Sequence, residues 1–488
     1  MPSRRLGSLR GAHRLPLVAR AVAVVLAATT LGACGSDAPT VTVTPPPVVT
    51  PPIDTTPTVT DPAQRLLTDA ELVTPVDPNA PPQSADRVDF AKVATVPIRS
   101  LTSTNFADLR FLAPLLQGKR IVQLGESGHG VAEFNRAKVR LIKYMHEELG
   151  YDVIAFESSL FGCYAANERA DSLDARTLMR SCIFGVWHTQ EVEPLFEYVK
   201  QTRRTARPLT LAGVDVQQSS FLSDSRRPAF LRAVVGAVDT AYARRVFTLD
   251  SGVNVGVGGA AFRTYADTSF ARVTAAFDTL AAFLNANRAA LEARMGVEST
   301  TVARVAVRGV RPYLASLRTT DQTVSRDARD LGMANNVDAL LDEMYPGKKM
   351  MVWAHNSHIR HAGMSVAPTT SPLKWDDMGA HVARRRRAEL YSIGLFMYRG
   401  RAANNGRDVY SISRPAQERE SMEAILYHAR RQYLFLDFTL QSRNEGSRWL
   451  FEPIGAFDWG TNLERMILRD QYDGILYIHT VNPPIYIL

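Results

Sequence analysis

Seven short runs of near-continuous apolar, β-rich residues punctuate the chain. They are 120–126 (RIVQLGE), 151–157 (YDVIAFE), 209–216 (LTLAGVDV), 349–355 (KMMVWAH), 391–397 (YSIGLFM), 433–438 (YLFLDF) and 474–479 (GILYIH). A run that is apolar at successive rather than alternate positions suits a parallel sheet buried on both faces. Between the first two runs, residues 131–149 place apolar side chains at helical spacing and stop at Gly150, a residue suited to end a helix. Strands alternating with helices predict an α/β fold, a mainly parallel central sheet flanked by helices. From about 220 to 344 the pattern changes to Ala-, Arg- and Leu-rich helical stretches, including 270–293 and 301–319, interrupted by the glycine-rich 252–259 (GVNVGVGG). This predicts a helical insertion between strands that covers the active-site edge of the sheet.

The amino-terminal segment follows another pattern. Five arginines (Arg4, Arg5, Arg10, Arg14 and Arg20) and no acidic residue lead into the apolar run 21–31 (AVAVVLAATTL). That run is too short to span a bilayer as a helix, and with its basic flank it reads as a secretory signal. It ends in Leu31-Gly32-Ala33-Cys34, which resembles a lipobox. The expectation is a lipoprotein signal peptide over 1–33 and lipidation at Cys34. Each acyl CH₂ buried in a membrane contributes about 0.8 kcal/mol, so several chains make a firm anchor. Residues 34–86 are rich in Pro and Thr and read as an extended tether, which leaves the folded domain at 87–488. The expected location is the cell envelope, lipid-anchored on a periplasmic or extracellular face.

Charge and cysteine content narrow the partners. The formal net charge of +8 falls to +3 without the five leader arginines, so no concentrated basic face argues for nucleic acid. Of the three cysteines, Cys163 and Cys182 remain after lipidation. An exported compartment permits a disulfide between them, with two buried thiols or a metal site as alternatives.

In open α/β sheets, ligands bind beyond the carboxyl ends of the strands, and the ionisable residues of this chain gather at such ends. The first run closes in Gly125-Glu126-Ser127-Gly128-His129-Gly130, the second in Glu157, the third in Asp215, and the fourth in His355-Asn356-Ser357-His358. Singly, each has a structural explanation: a hydrogen-bonding histidine, a capping glutamate. Converging from four strand ends, they suggest a histidine that activates water while glutamates orient it. The serine-hydrolase elbow G-x-S-x-G is not met at Ser127, because His129 stands where its final glycine belongs, which leaves Ser127 a minor candidate nucleophile.

The string GESGHGVAEF and its continuation LIKYMHEELGYDVIAFES resemble the opening blocks of the erythromycin esterase family. LAGVDVQ, RDLGMAN, MVWAHNSH, YSIG and YDGILYI follow in the family's order. The resemblance runs from about residue 108 to the carboxyl terminus. It implies a hydrolase acting on a small-molecule ester or macrolactone, with neither metal nor other cofactor. His129 would be the general base, Glu126 and Glu157 its acidic partners, and His355 and His358 the second histidine motif, with His355 in the catalytic set. His358, Lys138, Asp215 and Asn356 would contact substrate. Lys138 stands where antibiotic-inactivating members carry arginine, so it keeps the charge without the bidentate fork. Two other classes remain open from the residues: a divalent-metal hydrolase or peptidase using the same side chains, and a cell-envelope binding lipoprotein without turnover.

Overall fold

A computed structural model of the chain describes residues 61–254, 267–368, 374–412 and 420–487. The leader, Cys34, the first part of the tether and most of the glycine-rich stretch lie outside the described residues.

The strands in chain order are β1 (Val96–Pro97), β2 (Ile121–Leu124), β3 (Tyr151–Ser159), β4 (Thr210–Asp215), β5 (Lys349–Trp353) and β6 (Ala367–Pro368). They continue with β7 (Leu390–Ala403), β8 (Val409–Ile412), β9 (Tyr433–Asp437), β10 (Ile454–Asp458), β11 (Asn462–Met466) and β12 (Gly474–Val481). Nine of them form one sheet in the order β1-β9-β12-β7-β2-β5-β3-β4, with β8 paired to β7. The block from β12 to β4 is parallel throughout, and β9, β1 and β8 add antiparallel edges. The mainly parallel sheet expected from the apolar runs is therefore present. All nine residues of β3 are buried, and they alternate between two cores: Ile154 and Phe156 face one layer of helices, Val153 and Ala155 the other.

The helix Ala132–Leu149 ends at Gly150, whose φ of 77° is the left-handed conformation that glycine adopts without a Cβ clash. Among the described residues, the chain between β4 and β5 is helical, as expected of the insertion, and has a core of its own around Leu231, Val246, Phe277 and Leu314. Two helices read from sequence as continuous are each divided. Asp267–Ala286 and Arg288–Met295 part at Asn287, and Val297–Arg308 and Val310–Arg318 part at Gly309. Restarting at Val310 puts Pro312 in a first turn, where its missing N–H leaves no intrahelical bond unmade.

The folded region begins before the expected boundary at 87. Residues 62–86 carry short helices at Pro62–Gln64 and Asp69–Leu72, the second held by a capping box between Thr68 and Glu71. Leu72 is fully buried, its carbonyl accepts from Gln432 N–H at 2.8 Å, and Thr74 N–H donates to the Arg430 carbonyl at 3.2 Å. A Pro/Thr-rich composition hides these few apolar anchors. Among the described residues, no helix is long and apolar enough to cross a membrane.

Candidate functional site

The carboxyl ends of β2, β3, β4 and β5 open into a crevice of about 570 Å³, walled on the far side by the β10–β11 hairpin. His129, Glu157, Asp215, His355 and His358 all border it, so five of the residues singled out from sequence do converge.

The turn after β2 is drawn tight by close packing. A Cβ on Gly130 would collide with the Ala403 backbone, to whose N–H the Gly130 carbonyl is bonded at 2.9 Å. This turn carries His129 to the crevice with Glu126 behind it. Glu126 is fully buried, and its Oε1 accepts from His129 Nδ1 at 2.6 Å and from Trp187 Nε1 at 2.7 Å. Its other oxygen is ion-paired with Lys138. With Nδ1–H donating to the carboxylate, the lone pair of neutral His129 is on Nε2.

Lys138 is fully buried, with its ammonium 4.2 Å from the centre of the Trp353 ring. Burial brings it down to about 8 against the opposing pull of Glu126. Expected to contact substrate, it instead lies behind Glu126 and away from the crevice, because the helix Ala132–Leu149 packs under the sheet end. Asn356 is likewise turned inward. Its amide donates to the Leu395 carbonyl at 2.9 Å and accepts from the Leu395 N–H at 3.2 Å, which braces the short helix after β5 against β7. Ser127 is also buried and away from the crevice.

The second half of the site is built around Glu157. Its Oε1 accepts from Arg329 Nη2 at 2.8 Å and lies 3.2 Å from His358 Nε2, while its Oε2 accepts from the His355 backbone N–H at 2.9 Å. Burial alone would raise the Glu157 carboxyl, but the charges of His358 and Arg329 overcome it and hold the group well below its ordinary range. His358 donates through Nδ1 to Asp330 at 2.6 Å. Burial disfavours its charge, yet Asp330 and Glu157 together push it up to about 10, so it is an imidazolium at neutral pH. The 3.1 Å approach of Arg329 Nη1 to His358 Nε2 is then a close pass of two donors, not a hydrogen bond. Asp215 accepts from Arg329 Nε at 3.1 Å and from its Nη2 at 2.6 Å, so it fixes the guanidinium as well as lining the crevice.

His355 differs from both other histidines. Its Nδ1 accepts from the Ser357 backbone N–H at 3.2 Å, which leaves the proton of the neutral ring on Nε2. Burial, with His129 nearby, drives its pKa well below the ordinary value and keeps it neutral. The ring centroids of His129 and His355 are 5.1 Å apart. Nε2–H of His355 can therefore donate to an oxygen on which negative charge develops, beside a base with a free lone pair.

Arg329 and Asp330 lie within the RDLGMAN block, but sequence reasoning gave them no role. Trp187, Trp459, Asp458 and Arg360 also border or support the site: Trp187 ends a short helical turn, Arg360 caps the short helix after β5, and Asp458 and Trp459 lie at the tip of the β10–β11 hairpin. Cys163 and Cys182 are joined as a disulfide with Cα atoms 4.2 Å apart. It ties the helix that follows Glu157 to the segment that carries Phe184 and Trp187. Among the described residues, no group of three His, Cys, Asp or Glu side chains is arranged to hold a metal ion. The carboxylates instead face Lys138, Arg329 and His358.

The family model described as "Erythromycin esterase" matches residues 146–481, beginning after the Glu126–His129 turn. A Bacillus subtilis (strain 168) protein named "Putative hydrolase YbfO" is 32% identical over 405 residues, covering 78% of this chain and 88% of its own. "Erythromycin esterase type I" of Escherichia coli is 23% identical over 298 residues, 58% of this chain and 71% of its own. A solved Bacillus cereus structure superposes with a TM-score of 0.71 at 17% identity, covering 83% of this chain and all of that one, a likeness of fold.

Proposed function

This chain belongs to the erythromycin esterase family, and on that premise we propose that it hydrolyses a carboxylic ester or macrolactone with water activated by His129. The observation that carries the reading is the Glu126–His129 contact of 2.6 Å, which sets the tautomer and leaves Nε2 as the base beside the crevice. In this mechanism Nε2 takes a proton from water, the resulting hydroxide attacks the acyl carbon, and Glu126 stabilises the imidazolium so formed. His355 donates from Nε2 to the developing oxyanion, and the fixed charges of His358 and Arg329 border the same space. Lys138 acts from behind, ion-paired with Glu126 and holding it in place. The protein is exported and held to a membrane through lipid on Cys34, a reading that rests on the leader sequence alone.

Purified protein should turn over members of an ester and macrolactone panel at a rate unaffected by a strong chelator. Failure on every ester refutes the reading, and loss of rate on chelation moves the metal-dependent alternative ahead. Cys34→Ser should abolish partitioning into detergent, and unchanged partitioning refutes the anchor.

A further inference from the structure

The β10–β11 hairpin brings a carboxyl group to the reacting side of the crevice that the proposed reaction does not yet use. Asp458 ends β10 and lines the crevice, and its Oδ1 lies 3.4 Å from His355 Nε2. Among the described residues neither atom has a hydrogen-bond partner, although both are buried. The next residue locks this position. Trp459 has a φ of 53°, a left-handed backbone that a bulky side chain adopts only when its surroundings impose it. Its N–H donates to the Ser127 carbonyl in the turn after β2, and its own carbonyl accepts from the Tyr410 hydroxyl at 2.9 Å. The indole stacks on His355 at 5.5 Å and meets His129 edge-on at 5.4 Å. The hairpin tip is thus fitted against both histidines, and Asp458 is set beside them.

We propose that Asp458, in its protonated form, is the catalytic acid that protonates the departing alcohol. The inference rests on the esterase reading and deepens it. An ester whose carbonyl oxygen accepts from His355 Nε2 has His129 and Asp458 bordering the same space. As the bond from water oxygen to acyl carbon forms, one water proton passes to His129 Nε2. As the acyl carbon–alkoxy bond breaks, the Asp458 proton passes to the alkoxy oxygen. The products are the carboxylic acid and the alcohol, and the proton on His129 returns through water to Asp458, which closes the cycle without any co-reactant. Burial, with Glu464 across the hairpin, brings Asp458 up to about 7 against the opposing charges of Arg360 and Arg326, so the protonated form is populated at neutral pH. His355, Glu464, Arg360, Arg326 and Tyr410 are the titratable and charged groups facing it among the described residues.

The leaving group separates this role from a structural one. A nitrophenolate departs without a proton, whereas an alkoxide needs one. Full-length Asp458→Asn protein should therefore lose kcat on an alkyl ester by at least about 100-fold. That loss should exceed its loss on the matching nitrophenyl ester by at least tenfold. In the wild type, kcat on the alkyl ester should fall as pH rises through about 7, where the acid gives up its proton, and Asp458→Asn should lack that limb. Equal losses on both esters, in a variant with the wild-type unfolding midpoint, overturn the acid role. Near-wild-type turnover of the alkyl ester does so too. A wild type inactive on both esters refutes the esterase reading itself, a result distinct from either.

Discussion

Two histidine–carboxylate pairs bring a ring each to the crevice, and their surroundings make them opposites. His129 has one carboxylate on Nδ1, and that carboxylate is also held by Lys138 and Trp187, so Nε2 remains for chemistry. His358 has a carboxylate at each nitrogen, Asp330 at 2.6 Å and Glu157 at 3.2 Å, and is raised to about 10. A ring already protonated with both nitrogens engaged cannot accept a proton, so it serves as a fixed positive charge. The residue type is the same in both. What differs is how many carboxylates it meets: one for His129, two for His358.

The sharpest way to break the comparison is to remove each ring and measure stability. His358→Ala leaves Glu157 and Asp330 without their shared imidazolium, and should destabilise the fold by about 3–5 kcal/mol, as when one partner of a buried ion pair is lost. His129→Ala, at the crevice edge, should cost clearly less. The pH dependence follows from the raised value of His358. Its contribution is fully present below the ordinary value of 6.5 and is lost as pH rises through about 10. Urea unfolding across that window should show the decline in the wild type and a flatter profile in His358→Ala. Equal costs for the two variants would erase the contrast.

The disulfide joins the two regions, since it ties the helix after Glu157 to the segment bearing Trp187. With 19 residues separating the cysteines, its removal in Cys163→Ala/Cys182→Ala should cost about 3 kcal/mol by loop-closure entropy. An unchanged melting temperature would contradict that. A smaller expected effect, about 100-fold in kcat, attends Glu126→Gln, which leaves the His129 tautomer unfixed. The same substitution should leave substrate affinity nearly constant, because Glu126 is behind the ring. A large rise in KM with unchanged kcat would make Glu126 a binding residue instead.

The sequence announced the sheet and half of the site for one reason: strand-end residues adjoin long apolar runs, so their place follows from the strand. All seven apolar runs correspond to β2, β3, β4, β5, β7, β9 and β12. Of the strands it did not announce, β1 and β6 are two residues long and β11 carries polar residues with no buried pattern, while β10 is buried but adjoins no long apolar run. Lys138 and Asn356 were assigned to substrate because a motif tells which residues cluster but not which way they point. Lys138 is directed inward by the helix that carries it, and Asn356 by its bonds to Leu395 of β7 over Gly125, just past the end of β2. Arg329, 114 residues from Asp215 and 172 from Glu157, joins them only through the packing of the helical insertion, which no local spacing encodes.

The central claim is that His129 is the base, and the most direct test is kcat of His129→Ala on an ester that the wild type turns over, with and without added imidazole. A general base contributes about 10²–10⁴-fold, so kcat should fall by at least about 100-fold while the fold is retained. Exogenous imidazole should then restore part of the rate in proportion to its neutral form, since the crevice of about 570 Å³ admits it. Near-wild-type turnover by the folded variant without imidazole would contradict the account.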